Sequence, residues 1–195
     1  MSSKTKQKKQ PELNDYDKKW KNPMKKPYLE KVVLNIGVGN GGEELERAAT
    51  VLETITERTP KKTLSRKNIK EFNLRKGRPI GVKVTVRNEK AVELLKRLLI
   101  VNNNRMKRSS FDDYGNFGFG IKEHISIPGV EYDNTIGIWG LDVIGRVVRP
   151  GMRVRYRRAH RAKIPKEHYV SREETKYFLQ KLFNINIVEK IESEY

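Results

Sequence analysis

From Gly81 to Arg87 apolar and polar residues alternate without a break, Val82, Val84 and Val86 against Lys83, Thr85 and Arg87. Side chains along a strand point to opposite faces with period two, so the pattern calls for a strand buried on one face only. The other face carries cations, and it has to stay open to solvent or to a partner. Antiparallel sheets tolerate one uncovered face, whereas all-parallel sheets are covered on both.

The alternating run closes a longer basic stretch, Pro60 to Arg87, which holds ten Lys or Arg and one acid, Glu71, in twenty-eight residues. Gly77-Arg78-Pro79 has the chemistry of a turn, since Pro fixes its own φ and Gly tolerates conformations that other residues avoid. The expected order is basic loop, strand, basic turn, strand. A solvated hairpin would account for this stretch alone, but the whole chain of 195 residues carries a net charge of +18 and a pI near 10.0. That balance costs self-repulsion unless a polyanion compensates it. Nucleic acid is the favoured partner. A membrane surface is disfavoured, because the cations are spread over several segments and do not line one amphipathic helix.

Composition narrows the chemistry further. With no cysteine the chain has no disulfide, thiolate zinc site or cysteine nucleophile. His124, His160 and His168 lack a short metal-ligand spacing, so neither metal nor cofactor is expected. The start lacks the apolar core of a signal peptide, and the longest apolar helix, 92–101, is interrupted by Glu93, Lys96 and Arg97. A soluble intracellular protein is expected. Residues 1–21 form a lysine-rich tail expected to be flexible, with packing starting at Trp20, and 22–195 form one domain with a basic C-terminal extension.

Within that domain, Leu29–Ile36 alternates again, placing Val32, Leu34 and Ile36 inward and Lys31, Val33 and Asn35 outward. A helix follows from Glu43 to about Thr59, burying Leu45, Ala48, Leu52 and Ile55 and stopped by Pro60. Between them GVGNGG matches the dinucleotide fingerprint at Gly37, Gly39 and Gly42. A nucleotide-dependent enzyme is therefore the rival reading. Against it, Glu43, Glu44 and Glu46 fill the first helical turn and would repel a phosphate, and the acidic ribose-binding residue that should follow is replaced by the basic loop.

The second helix, Glu89 to about Ile100, has Asn88 as its N-cap and buries Val92, Leu95, Leu98 and Leu99. Residues 102–116 are expected to be an exposed loop. Phe117–Ile127 is expected to be a half-buried strand with His124 pointing off the core, and another strand falls within Thr135–Val148, its glycines marking bulges or close backbone approach. Gly145–Pro165 is a second basic cluster, with eight Lys or Arg and no acid. It contributes Arg153, Arg155, Arg157, Arg158 and Arg161 as candidate contacts to a nucleic-acid backbone, as the first stretch contributes Arg75, Lys76 and Arg78. A last helix opens with a capping box, Ser171 to Glu174, and buries Tyr177, Phe178 and Leu182, and 185–188 adds an edge strand. The sum is an α+β fold, an antiparallel-rich sheet with helices packed on one face and the opposite face open and basic for RNA. The aromatic signature of an RNA-recognition motif is missing, so shape and phosphate contacts are expected to dominate.

Three blocks resemble the universal large-subunit ribosomal protein family five, the bacterial protein five and eukaryotic protein eleven: KVVLNIGVG at 31–39, LRKGRPIGVKVTVR at 74–87, and SFDDYGNFGFGIKEH with PGVEYD within 110–133. The tail RVRYRRAHRAKIPKEHYVSREE resembles the archaeal branch. The resemblance implies a non-enzymatic component of the cytoplasmic ribosome that binds 5S rRNA and attaches it to large-subunit rRNA in the central protuberance. It also implies contacts to P-site tRNA, to a small-subunit head protein across an intersubunit bridge, and to neighbouring central-protuberance proteins, with no homo-oligomer. The 5S contacts carry over to Asn35, Phe72 and Thr85, with Arg58 where the bacterial pattern has glutamine; Lys31, Lys83 and Arg87 would surround them with charge. The tRNA-facing loop maps to about Pro60–Ile69, with Thr63, Ser65, Arg66 and Lys67, and the bridge to the loops around 109–116 and 131–135.

Overall fold

In the computed structural model, residues 13–39 and 41–189 are described. Strands Tyr28–Gly37 (β1), Lys61–Leu64 (β2), Pro79–Arg87 (β3), Asn116–Ile121 (β5) and Leu141–Val148 (β6) form a five-stranded antiparallel sheet in the order β2-β3-β1-β6-β5. Its inner face carries Val32, Leu34, Ile36, Val82, Val84, Val86 and Val143, all buried. Period-two alternation placed the six residues of β1 and β3 correctly because one side of the sheet is covered and the other is not.

Helices α2 (Glu43–Thr56) and α3 (Glu89–Val101) supply the facing half of the core. The apolar stripe of α2 is Leu45, Ala48, Val51, Leu52 and Ile55. It stops at Glu57, which takes a left-handed conformation, so the chain turns before it reaches Pro60. On α3 the buried set is Ala91, Leu94, Leu95, Leu98 and Leu99, with Val92 only half-buried. Asn88 occupies the N-cap position with φ 62° but makes no capping side-chain bond, so its contribution there is the turn itself.

Four expectations fail on tertiary grounds. The stretch 102–116 is not simply an exposed loop, since β4 (Arg105–Lys107) pairs in parallel with β7 (Asn186–Val188), and Met106 and Phe111 are buried. The strand expected over 117–127 ends at Ile121, and a short 3-10 turn at His124–Ser126 carries His124 inward, where it is 3% exposed. His124 Nδ1 accepts the Trp139 backbone N–H at 3.2 Å, so it is a buried structural histidine and not an RNA-facing one. Burial holds its pKa below the ordinary 6.5.

The other two concern the termini. Helix α5 (Arg172–Phe183) does begin at Ser171, whose Oγ accepts the Glu174 N–H, but it buries Thr175, Leu179 and Phe183, and leaves Leu182 44% exposed. Its Tyr177 and Phe178 are covered from outside by α1 (Leu13–Trp20), a helix lying within the stretch expected to be a flexible tail. Tyr16 stacks on Tyr177 at 5.7 Å, and Trp20 meets Phe178 edge-on at 6.2 Å. Packing thus begins at least as early as Tyr16; residues 1–12 lie outside the described residues. Trp20 Nε1 donates to Glu174, which also binds Arg149 Nη2 at 2.5 Å, a buried pair that ties α1, α5 and the end of β6 together.

Candidate nucleic-acid interface

The sheet register aligns the outward residues into rows. One row reads Lys61, Lys83, Asn35, Asp142 and Gly120 across β2, β3, β1, β6 and β5. The next reads Thr85, Val33, Ile144 and Gly118, and a third reads Arg87, Lys31, Arg146 and Asn116. Cations therefore occupy both ends of the open face, with a flat floor of valine, isoleucine and glycine between them. Ile144 is 47% exposed, a large apolar side chain left uncovered in the middle of the sheet. Five residues singled out from sequence, Lys31, Asn35, Lys83, Thr85 and Arg87, lie together on this surface.

Alternation also reveals residues that the sequence reading passed over. Asp142, Ile144 and Arg146 alternate with buried Leu141, Val143, Gly145 and Val147. That period was present in the sequence but was hidden by the glycines around it. Gly145 has a packing reason, since a Cβ there would come 2.1 Å from the Phe117 ring. Arg146 is the centre of the local electrostatics. Its Nε lies 3.5 Å from Glu30, which also faces Arg87 at 4.0 Å, and its Nη1 donates to the Tyr156 hydroxyl at 2.5 Å.

Tyr156 belongs to α4 (Arg153–Tyr156), the one helical turn in the second basic cluster. Both Arg146 and Arg155 lie 5.9 Å from its ring centroid, a cation–π arrangement that fixes α4 beside the sheet's open face. Arg153, Arg155, Arg157, Arg158 and Arg161 are all exposed. Arg155 donates to the Tyr169 hydroxyl and Arg157 to the His160 carbonyl, which positions their guanidiniums without neutralising their charge. The two basic stretches, 145–165 and 60–87, thus meet on one surface.

The loop joining β2 to β3 is an ordered extension of that hairpin. Ser65 and Arg78 are bonded through their backbones, Ile69 pairs with Leu74, and Asn68 Oδ1 accepts the Lys76 N–H at 2.7 Å. The strand precedes the basic loop here, so Thr63 sits inside β2 opposite Gly81 rather than in the loop. Ser65 is buried and its hydroxyl donates to the Lys67 carbonyl, so it shapes the loop and presents nothing outward. Arg66, Lys67, Arg75, Lys76 and Arg78 are exposed, and Phe72 is 67% exposed. Arg58 is exposed in the α2–β2 connection. Phe72 and Arg58 therefore lie outside the rows of the sheet face.

Among the described residues the glycine loop is a turn that leads into an acidic helix start. Gly39 and Gly42 have φ of 81° and 107°, as turn formers do, and the acidic first turn of α2 stands behind them. Among the described residues there is no cluster of His, Cys, Asp or Glu suited to a metal, and no helix is long and apolar enough to cross a membrane.

An open cationic antiparallel sheet, backed by helices and flanked by an arginine-rich turn, is the build of a structural RNA-binding protein. Comparison with known proteins gives the family. A model described as Ribosomal protein L5 matches residues 22–75, and a second, describing the C-terminus of the same ribosomal family, matches 79–182. The chain is 53% identical over 169 residues to large ribosomal subunit protein uL5 of Sulfurisphaera tokodaii, covering 86% of this chain and 96% of that protein. It is 50% identical over 165 residues to the Pyrobaculum aerophilum protein of the same name, covering 85% and 92%, and 45% identical over 166 residues to that of Methanosphaera stadtmanae, covering 85% and 99%. The chain belongs to the ribosomal protein L5 family, a component of the large ribosomal subunit and not an enzyme.

Proposed function

We propose that the open sheet face binds 5S rRNA and attaches it to large-subunit rRNA in the central protuberance of the cytoplasmic ribosome. The observation that carries this reading is the alignment of Lys83 and Asn35 in one row, Thr85 in the next, and Arg87, Lys31 and Arg146 in a third. Asn35 and Thr85 are half-buried, and neither side chain has a hydrogen-bond partner among the described residues. Their amide and hydroxyl are therefore free to bond sugar and phosphate, while the flanking cations release counterions from the RNA. The exposed α4 region, with Arg153, Arg155, Arg157, Arg158 and Arg161, and the loop residues Arg75, Lys76 and Arg78 extend the contact to other rRNA. Phe72 and Arg58 add 5S contacts from outside the sheet.

The tip of the β2–β3 hairpin, with Arg66 and Lys67, reaches P-site tRNA with Thr63 at its base, and the loops around 109–116 and 131–135 meet a small-subunit head protein. Footprinting of 5S RNA with and without the protein tests the division. Asn35→Ala and Thr85→Ala should each weaken 5S binding by about two- to tenfold, the worth of one hydrogen bond. Replacing Arg66 and Lys67 should leave 5S binding intact and impair tRNA-dependent function; the reverse pattern would overturn the assignment.

A further inference from the structure

A cavity of about 530 Å³ opens between α1 and α5, lined by none of the RNA-contact residues assigned above. Trp20, Pro27, Phe178 and Leu182 supply its apolar lining, and Lys21, Lys26 and Lys181 line it as well, Lys181 Nζ lying 5.7 Å from the Trp20 ring centroid. Its one acid, Asp17, is occupied, accepting from the Tyr177 hydroxyl at 2.9 Å and from Lys181 at 2.7 Å. Those bonds hold the Asp17 pKa below its ordinary range and raise that of Lys181, so the pair stays ionised and mutually satisfied. Lys21 and Lys26 are exposed and have no ion-pair partner among the described residues. The cavity thus combines aromatic walls with two uncompensated cations.

We propose that this cavity receives one unstacked nucleotide of a single-stranded RNA segment, its base against Trp20, Phe178 and Leu182 and its phosphate at Lys21 and Lys26. Stacking of bases on aromatic side chains beside a cationic backbone track is how sequence-tolerant single-strand sites are built. The volume suits a small ligand of that size. A second copy of this chain is a poor occupant, because two chains of net charge +18 repel. The site is separate from the sheet face, so it can fail while 5S binding stands, and the reverse.

The test uses the full-length protein carrying Trp139→Phe, which leaves Trp20 as the single tryptophan of the two in the sequence. Hexa-adenylate RNA should quench Trp20 fluorescence saturably, with an affinity that falls as salt rises. Leu182→Glu, at a position already 44% exposed where the fold accepts a charge, and Lys26→Glu should each weaken that quenching by at least about tenfold, the range expected for losing one stacked base or its phosphate anchor. Asn35→Ala should leave it unchanged. RNA binding without quenching, equal affinity in Leu182→Glu, or stronger quenching by an acidic aromatic peptide than by RNA would overturn the proposal, the last pointing to a protein partner.

Discussion

Lys83→Gln separates what the open face contributes to folding from what it contributes to binding. Lys61 and Lys83 stand directly opposite across β2 and β3, both exposed, and neither has an ion-pair partner among the described residues. Like charges facing across an antiparallel pair cost about 0.2–1 kcal/mol. The row's one acid, Asp142, lies two strands from Lys83, roughly 10 Å at the usual strand spacing, where salt screens it. Glutamine keeps the stem and removes the charge, so Tm of the free protein should rise by roughly 0.5–4 °C for a chain of this size. Affinity should move the other way. Losing one phosphate contact should flatten the slope of log K against log salt by about 0.9. Thermal unfolding and salt-titrated filter binding on the same samples give both numbers. A fall in Tm, or an unchanged salt slope with full affinity, would refute the placement of Lys83 in a strained cationic row facing RNA.

Two further perturbations probe the scaffold. Gly145→Ala should lower stability by about 1–3 kcal/mol in denaturant unfolding, as overpacking does, because the added methyl meets the Phe117 ring, and Phe117→Leu in the same chain should restore part of it. For His124 the sign follows from burial. The folded state disfavours the proton, the unfolded chain takes it up near the ordinary 6.5, and so this contribution is fully present above that value and is lost as pH falls below it. Unfolding midpoints measured between about pH 7.5 and 5 should decline more steeply for the native chain than for His124→Gln, with equal slopes counting against the buried neutral imidazole.

Both central strands were legible because alternation is a local consequence of having one covered face, and Val32, Leu34, Val82 and Val84 needed no partner to declare themselves. The cationic half of the site followed from the same period. What sequence hid was long-range. Met106 is buried because β7, far along the chain, pairs with its strand; His124 turns inward because Trp139 caps it; and α1 is held by Tyr177, Phe178 and Glu174, without which Tyr16 and Trp20 are two aromatic residues in a lysine-rich segment. Four-residue spacing of Tyr16 and Trp20 was the available signal for that helix, and charge composition outweighed it.

The step that composition could not supply is how two basic stretches become one surface. Arg146 performs it, since it stands in the third row of the sheet face and also packs on Tyr156, the residue that closes α4. Glu30, with its side chain only 19% exposed, is set between Arg87 and Arg146. An acid at that point lowers the local repulsion in the free protein, and its distances are 4.0 Å to Arg87 and 3.5 Å to Arg146, whose guanidinium is held instead by the Tyr156 hydroxyl. Neither contact is a tight fork, in contrast to the 2.5 Å pair of Arg149 with Glu174 that fastens the fold beneath. Arg149 is locked to a buried carboxylate, and Arg146, its side chain 15% exposed and its Nη1 bonded to Tyr156, is held as well, so the guanidinium left open beside Glu30 is that of Arg87, whose side chain is 53% exposed.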